Sequence, residues 1–126
     1  MSTNHSMEQV YARVVKGDPM TGEPPYEDLE AAGSTEWRKG QAKRWPEWAK
    51  PTKWMREMAV EEGERTGKLV SPLKYARIMD KEREGDPEKE RKPLGVSGYL
   101  KSHFMRNLAD YNSGKASKAD LYKRRP

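Results

Sequence analysis

The chain has 126 residues, of which 33% are hydrophobic and 36% charged, and a net charge of +5, against roughly 45–50% apolar and about 25% charged in an ordinary soluble domain. Such a chain can build one modest core with polar arms around it, while four Trp, six Tyr and one Phe give it more aromatic mass than a disordered chain carries. The lack of cysteine excludes disulfides and thiolate metal sites, and no apolar run reaches the ~18 residues of a membrane span.

In chain order, the opening MSTNHSMEQVYARVVKG offers neither the basic nor the apolar segment of a secretory signal. The expected setting is therefore the cytoplasm, of a cell or of a virus-infected host cell, or a virion. Val10 with Val14 and Tyr11 with Val15 stand at i,i+4 spacing, which favours a short amphipathic helix over Met7–Lys16. The β-branched VYARVV leaves a strand as the alternative. Gly17–Pro25 is a loop, because three prolines and two glycines deny it a helix. Pro24-Pro25-Tyr26 is similar to proline–tyrosine motifs held by grooved adaptor domains, but lacks the usual residue between the second proline and the tyrosine. A rigid turn is the simpler expectation. Tyr26–Ala32 reads as a short acidic helix ending at Gly33.

Ser34 or Thr35 can cap a helix to about Arg44, weakened at Gly40. Pro46 suits the first turn of a short helix that Pro51 ends, and Thr52 is expected to cap a new helix from Lys53 to about Arg65, with Thr66-Gly67 as its stop. Ser71-Pro72 pairs an N-cap with a first-turn proline. The helix it opens runs to about Glu84, buries Leu73, Tyr75, Ala76 and Met79 with Ile78 at its edge, and stops at Gly85. Ser97 is expected to cap a helix to about Asn112, with the stripe Leu100, Phe104, Leu108 and Tyr111 turned inward. Ser117 and Asp120 have capping-box spacing, which predicts a last turn through Leu121 and Tyr122.

Charge is unevenly placed. Residues 1–33 carry two cations and six anions, residues 34–58 seven cations and three anions, and residues 114–126 five cations and one anion. The remainder is close to neutral. Two basic blocks and one acidic arm set the local fields that steer association.

A catalytic site is hard to assemble. His5 and His103 are far apart in sequence, and the carboxylates Glu61, Glu62 and Glu64 fall on a helix among cations. Gly17 with Gly22, and Gly95 with Gly98, lack the pattern of a phosphate or dinucleotide loop. The expectation is a non-enzymatic protein with no cofactor and no metal.

Leu94-Gly95-Val96-Ser97-Gly98-Tyr99-Leu100 resembles the turn and first recognition-helix residues of helix-turn-helix repressors. The resemblance implies Ser97, Gly98 and Lys101 toward DNA with Val96 and Leu100 packed inward. It covers seven residues, and the helix that should precede the turn would fall on Pro87–Leu94, a charged segment with Pro93 inside it.

The most informative stretch is Ser34–Met58. All four tryptophans (Trp37, Trp45, Trp48, Trp54) lie in it among seven cations. Indoles can fill a core, stack on nucleic-acid bases between phosphate-binding cations or anchor a protein interface. A core short of aliphatic mass needs some of them. Trp37 and Trp54, on the better-defined helices, are the expected core members, whereas Trp45 and Trp48, flanking Pro46, are the expected surface anchors.

The whole then reads as an all-α protein, a small irregular bundle of about four helices with extended arms. Its divisions are an acidic N-terminal arm over 1–33, a helical domain over 34–113 and a basic C-terminal tail over 114–126. The expected function is that of a small basic accessory protein docking on DNA, RNA or a nucleoprotein complex. Its contacts would be Lys43, Arg44, Trp45, Trp48, Lys50 and Lys53, assisted by Lys115, Lys118, Lys123, Arg124 and Arg125. The alternative is a protein-binding module, a viral structural component or an inhibitor of a host enzyme, whose acidic arm also faces a protein partner. Neither involves a membrane.

Overall fold

A computed structural model describes residues 6–18, 20, 22, 24–33, 45–85, 88 and 92–125, the side chains of Trp45 and Pro46 excepted. The protein is a small all-α bundle, with no β-strand among the described residues. Its elements are α1 (Met7–Val15), α2 (Tyr26–Ala31), α3 (Trp45–Thr66) and α4 (Leu73–Glu84), followed by one unbroken helical run. That run comprises α5 (Val96–Tyr99), a π-helical turn (Leu100–Phe104) and α6 (Met105–Asn112), and a 3₁₀ turn at Lys118–Asp120 follows it.

The expected helix near the N-terminus forms, and it is a full member of the bundle. Met7, Val10, Tyr11 and Val14 are buried, and α1 packs on α4, α3 and α2. Two caps explain its sharp start. Ser6 and Gln9 form a reciprocal capping box, with the Gln9 N–H donating to Ser6 Oγ at 3.1 Å and the Ser6 N–H to Gln9 Oε1 at 2.9 Å. The second cap comes from across the fold, where the buried carboxylate of Asp80 on α4 accepts the Met7 N–H at 2.7 Å and the Glu8 N–H at 3.4 Å. Arg83 Nε, 3.2 Å from Asp80, balances its charge. The first two free N–H groups of α1 thus meet an anion where the helix dipole favours one.

α2 is the expected acidic helix, and its chain exit at Gly33 has φ 80°. Tyr26 is buried at its start, so the proline–tyrosine turn keeps its tyrosine inside. The residues 34–44 expected to form the next helix, Trp37 included, lie outside those described.

Pro51 does not end a helix. α3 runs through it from Trp45 to Thr66, and Thr52, expected as an N-cap, is an interior residue whose hydroxyl donates to the Trp48 carbonyl at 2.9 Å. Proline inside a helix costs ~3 kcal/mol through its missing N–H and ring clash. Tertiary packing offsets that cost here, because Pro51 and Thr52 are buried, as are Trp48 and Trp54 on either side of them in sequence. Gly67, at φ 71° with its N–H on the Gly63 carbonyl, closes the helix where expected.

α4 starts one residue later than expected, at Leu73 with Pro72 as its cap, while Ser71 Oγ accepts the Leu73 N–H at 3.2 Å. Tyr75, Ala76 and Met79 are buried, Leu73 and Ile78 half-buried. Gly85 leaves at φ 79°. In the next run the cap is Gly95, and Ser97 is already helical. Val96, Tyr99, Leu100 and Phe104 are buried, but Tyr111 is 39% exposed. The π turn accounts for the loss of register: the Met105 N–H reaches back to the Leu100 carbonyl, and one extra residue rotates the remainder of the helix by about 100°. Tyr111 therefore leaves the core line, while Leu108 stays half-buried against the core.

The C-terminal segment also packs on the bundle. Leu121 is buried, the Tyr99 hydroxyl donates to the Tyr122 carbonyl at 2.6 Å, and Asn107 Nδ2 donates to the carbonyls of Leu121 (3.1 Å) and Lys123 (2.7 Å). The 3₁₀ turn forms by the Asp120 N–H to Ser117 carbonyl bond, without a Ser117 side-chain cap.

Candidate docking face

Trp48 and Trp54 lie six residues apart on α3 and leave it on different faces. Trp54, 3% exposed, meets Tyr75 edge-on at 5.6 Å, Phe104 edge-on at 6.1 Å and Tyr122 tilted at 6.1 Å, while its Nε1–H donates to the Lys118 carbonyl at 2.8 Å. One side chain thus ties together α3, α4, the π turn and the C-terminal segment. This is the core role expected of it. Trp48 departs from expectation. It is 4% exposed and stacks on Tyr26 at 6.0 Å and 21°, so it closes the α2 side of the core and offers no face to a base. An indole next to a proline is an exposed anchor only if the chain breaks there, and α3 does not break.

The Trp54 side of α3 borders a cleft. Lys50, Lys53, Trp54 and Glu57, at i, i+3, i+4 and i+7, share one face. Together with Leu108, Tyr111 and Asn112 of α6, and Lys118 and Leu121, they line a cleft of about 260 Å³. Lys50 and Lys53 are exposed, and Lys53 makes a long 3.9 Å pair with Glu57. The exposed aromatic of this cleft is Tyr111. Helical spacing alone puts it in the apolar stripe of α6; the signal that could have found the cleft is the helical spacing of Lys50 and Lys53.

The C-terminal cations divide. Lys118 Nζ sits between Glu57 (2.7 Å) and Glu61 (2.6 Å) of α3. Desolvation pulls its pKa down, but the hydrogen bonds to the two carboxylates outweigh that and hold it above the ordinary lysine value. Lys123 pairs with Asp120 at 3.1 Å, and that bond raises its pKa. Arg124 is bonded throughout: its N–H donates to Glu82 Oε2 (2.9 Å), Nε to the Glu82 carbonyl (2.9 Å), and Nη2 to the carbonyls of Arg83 (2.6 Å) and Lys92 (2.7 Å). Arg125 reaches Asp110 at 2.8 Å and Asn107 at 3.0 Å. The closed fold thus engages Lys118, Arg124 and Arg125, three of the cations expected at a phosphate-binding tail, with its own oxygens. Lys115 is exposed. With Lys123, Arg124, Arg125, Asn107 and Ser117 it lines a second cleft of about 420 Å³. Both clefts use the segment 112–121 as a wall. Lys43, Arg44 and the Trp45 side chain lie outside the described residues.

A third concavity, about 640 Å³, lies where α3 turns into α4. Ala59, Val60, Leu69, Val70 and Pro72 give it an apolar floor, with Arg56, Glu64 and Lys68 among its other lining residues. Leu69 is fully exposed and Val60 58% exposed. Arg56 is held by Glu27 at 2.9 Å, and that hydrogen bond raises its pKa.

Glu62 accepts from Lys74 Nζ at 2.6 Å and from the Tyr75 hydroxyl. Those bonds, that from Lys74 first, lower its pKa, while burial and then Glu62 push Tyr75 up to about 12. This pair braces α3 against α4. Val96 and Leu100 pack inward as the helix-turn-helix resemblance implies, but Lys92–Gly95 lie outside any helix, so no helix abuts the turn. Among the described residues, no group of three or more His, Asp or Glu could hold a metal ion, and no helix is long and apolar enough to cross a membrane. Compared with known proteins, the chain matches no family model, no curated protein and no solved structure.

Proposed function

We propose that the protein is a non-enzymatic accessory factor that docks on nucleic acid, or on a nucleoprotein assembly, through the α3–α6 cleft and the adjoining Lys115. The observation that carries this is the exposed ring of Tyr111 in the same cleft as Lys50 and Lys53. A base can stack on an exposed aromatic while lysines meet the backbone, each stacked base contributing ~1–3 kcal/mol. The lysines supply a sequence-independent, salt-dependent attraction. Lys43 and Arg44 lie just before α3 in sequence and would extend the same basic block. Fluorescence anisotropy with single- and double-stranded DNA and RNA oligonucleotides, titrated with salt, tests the proposal. Binding that weakens steeply with salt supports it; no binding even at low salt removes it.

A second reading rests on the apolar concavity at the α3–α4 turn. Exposed Leu69 and Val60 are features of a protein-binding surface, and they suit the alternative of a protein-binding module. A partner captured from nuclease-treated lysate and lost on Leu69→Glu would favour it over nucleic-acid docking.

A further inference from the structure

His103 stands in the π turn, half-buried, and its Nδ1 accepts the backbone N–H of Arg125 at 2.8 Å. A backbone N–H can only donate, so Nδ1 must carry a free lone pair and the ring proton must be on Nε2. This bond joins the middle of the helical run to the end of the docked C-terminal segment, beyond the carbonyls held by Tyr99 and Asn107. The surrounding charges matter as much as the bond. Arg106 from the same run, Arg124 and Arg125 from the docked segment and Glu82 from α4 act on the imidazole, and the Tyr99 ring lies 6.3 Å away. Three cations against one carboxylate is a poor setting for an imidazolium. Desolvation, followed by Arg124, Arg106 and Arg125, lowers the His103 pKa, with Glu82 opposing.

We infer that His103 is an acid-sensitive latch: the neutral ring holds the end of the C-terminal segment closed, and protonation unseats Arg125. The imidazolium loses its acceptor at Nδ1, leaves the Arg125 N–H without its partner, and sets a fourth positive charge beside Arg106, Arg124 and Arg125. The side-chain anchors of Arg125, Asp110 and Asn107, are partly solvent-accessible and can be exchanged for water. Leu121, buried, and Arg124, bonded to three carbonyls, keep the rest of the segment in place. Resting on the docking reading above, the consequence is that acidification adds a free Arg125 to the basic cleft lined by Lys115 and Lys123.

The test needs no nucleic acid, so the latch can fail independently of the docking proposal. A histidine whose pKa is depressed in the closed form stabilises closure fully above its free value near 6.5, and loses that contribution as pH falls through the closed-state value. The opening constant therefore rises by as much as about tenfold between pH 7.5 and 5.5. Amide hydrogen exchange, corrected for intrinsic rates, reads it directly. The protection factor of the Arg125 N–H should fall by several-fold, up to about tenfold, across that range in the intact chain, while the Trp54 indole N–H stays protected. His103→Gln, whose amide oxygen can still accept but does not titrate, should remove the pH dependence. The His103 ring resonances of the unsubstituted chain give a second readout, with an expected midpoint below 6.5. Flat Arg125 protection, the same fall in His103→Gln, or a midpoint at or above 6.5 would each overturn the latch.

Discussion

The two basic blocks of this chain look alike in sequence, yet among the described residues Lys50 and Lys53 of the first and Lys118, Arg124 and Arg125 of the second end in opposite conditions. Residues 34–58 have four more cations than anions, and so do residues 114–126. In the fold, Lys50 and Lys53 of the first block stand exposed at an open cleft. In the second, Lys118, Arg124 and Arg125 are bonded to Glu57, Glu61, Asp110 and a set of carbonyls. The difference lies in what each block meets. Different positions along α3 send Lys50 and Lys53 outward while Trp48 and Trp54 fill the core, whereas the second block lies along helix ends and loops that have carbonyls without helical partners.

The sharpest break of the comparison is at the point where the blocks meet. Trp54→Ala removes the indole that packs on Tyr75, Phe104 and Tyr122 and holds the Lys118 carbonyl. It should lower unfolding free energy by ~3–5 kcal/mol in denaturant titration. A loss below ~1 kcal/mol would mean the second block does not depend on α3.

Arg124→Ala and Lys50→Ala separate the blocks next. Arg124→Ala should cost ~1–3 kcal/mol, because several hydrogen bonds from a charged group are lost, whereas Lys50→Ala should stay within ~0.5 kcal/mol. Equal effects would erase the distinction between an engaged block and an open one.

How far this was legible from sequence varies by element. Helix α4 and its Ser71-Pro72 start, the Gly67 and Gly85 stops and the core role of Trp54 follow from local patterns. The capping of α1 by Asp80 does not, since the two lie more than seventy residues apart and nothing local marks a carboxylate as a tertiary cap. Pro51 misleads because propensity argues for a break, and only burial of its ring and of the flanking indoles overrides it. Trp48 misleads for the same reason: with α3 continuous, helical phase carries it to Tyr26. At the candidate site, Lys50 and Lys53 were legible as cations, but their aromatic neighbour was not. Tyr111 reaches the outside because a π turn, invisible to a 3.6-residue pattern, shifts the phase of α6.

The smallest effect lies at alkaline pH. Lys118 has a raised folded pKa, so its pairing with Glu57 and Glu61 stabilises fully below the free value near 10.5 and is lost as pH rises through the folded value. Tyr75, raised to about 12, is favoured neutral and likewise holds the fold below its free value near 10 and loses that contribution on approaching 12. Stability should therefore fall between pH 10 and about 12. Lys118→Met should flatten part of that fall in urea titrations at fixed pH, whereas Lys50→Met should leave it unchanged.

The most direct measurement compares the salt dependence of oligonucleotide binding for the unsubstituted chain, Lys50→Glu/Lys53→Glu and Arg124→Ala at pH 7.5. If the first block is the docking face, the double charge reversal should weaken binding by at least about tenfold and reduce the slope of log K against log salt by about 1.4 for a single strand. Arg124→Ala, with its charge already engaged by carbonyls, should leave the slope unchanged. The opposite pattern, an unchanged slope for Lys50→Glu/Lys53→Glu and a reduced one for Arg124→Ala, would contradict the account.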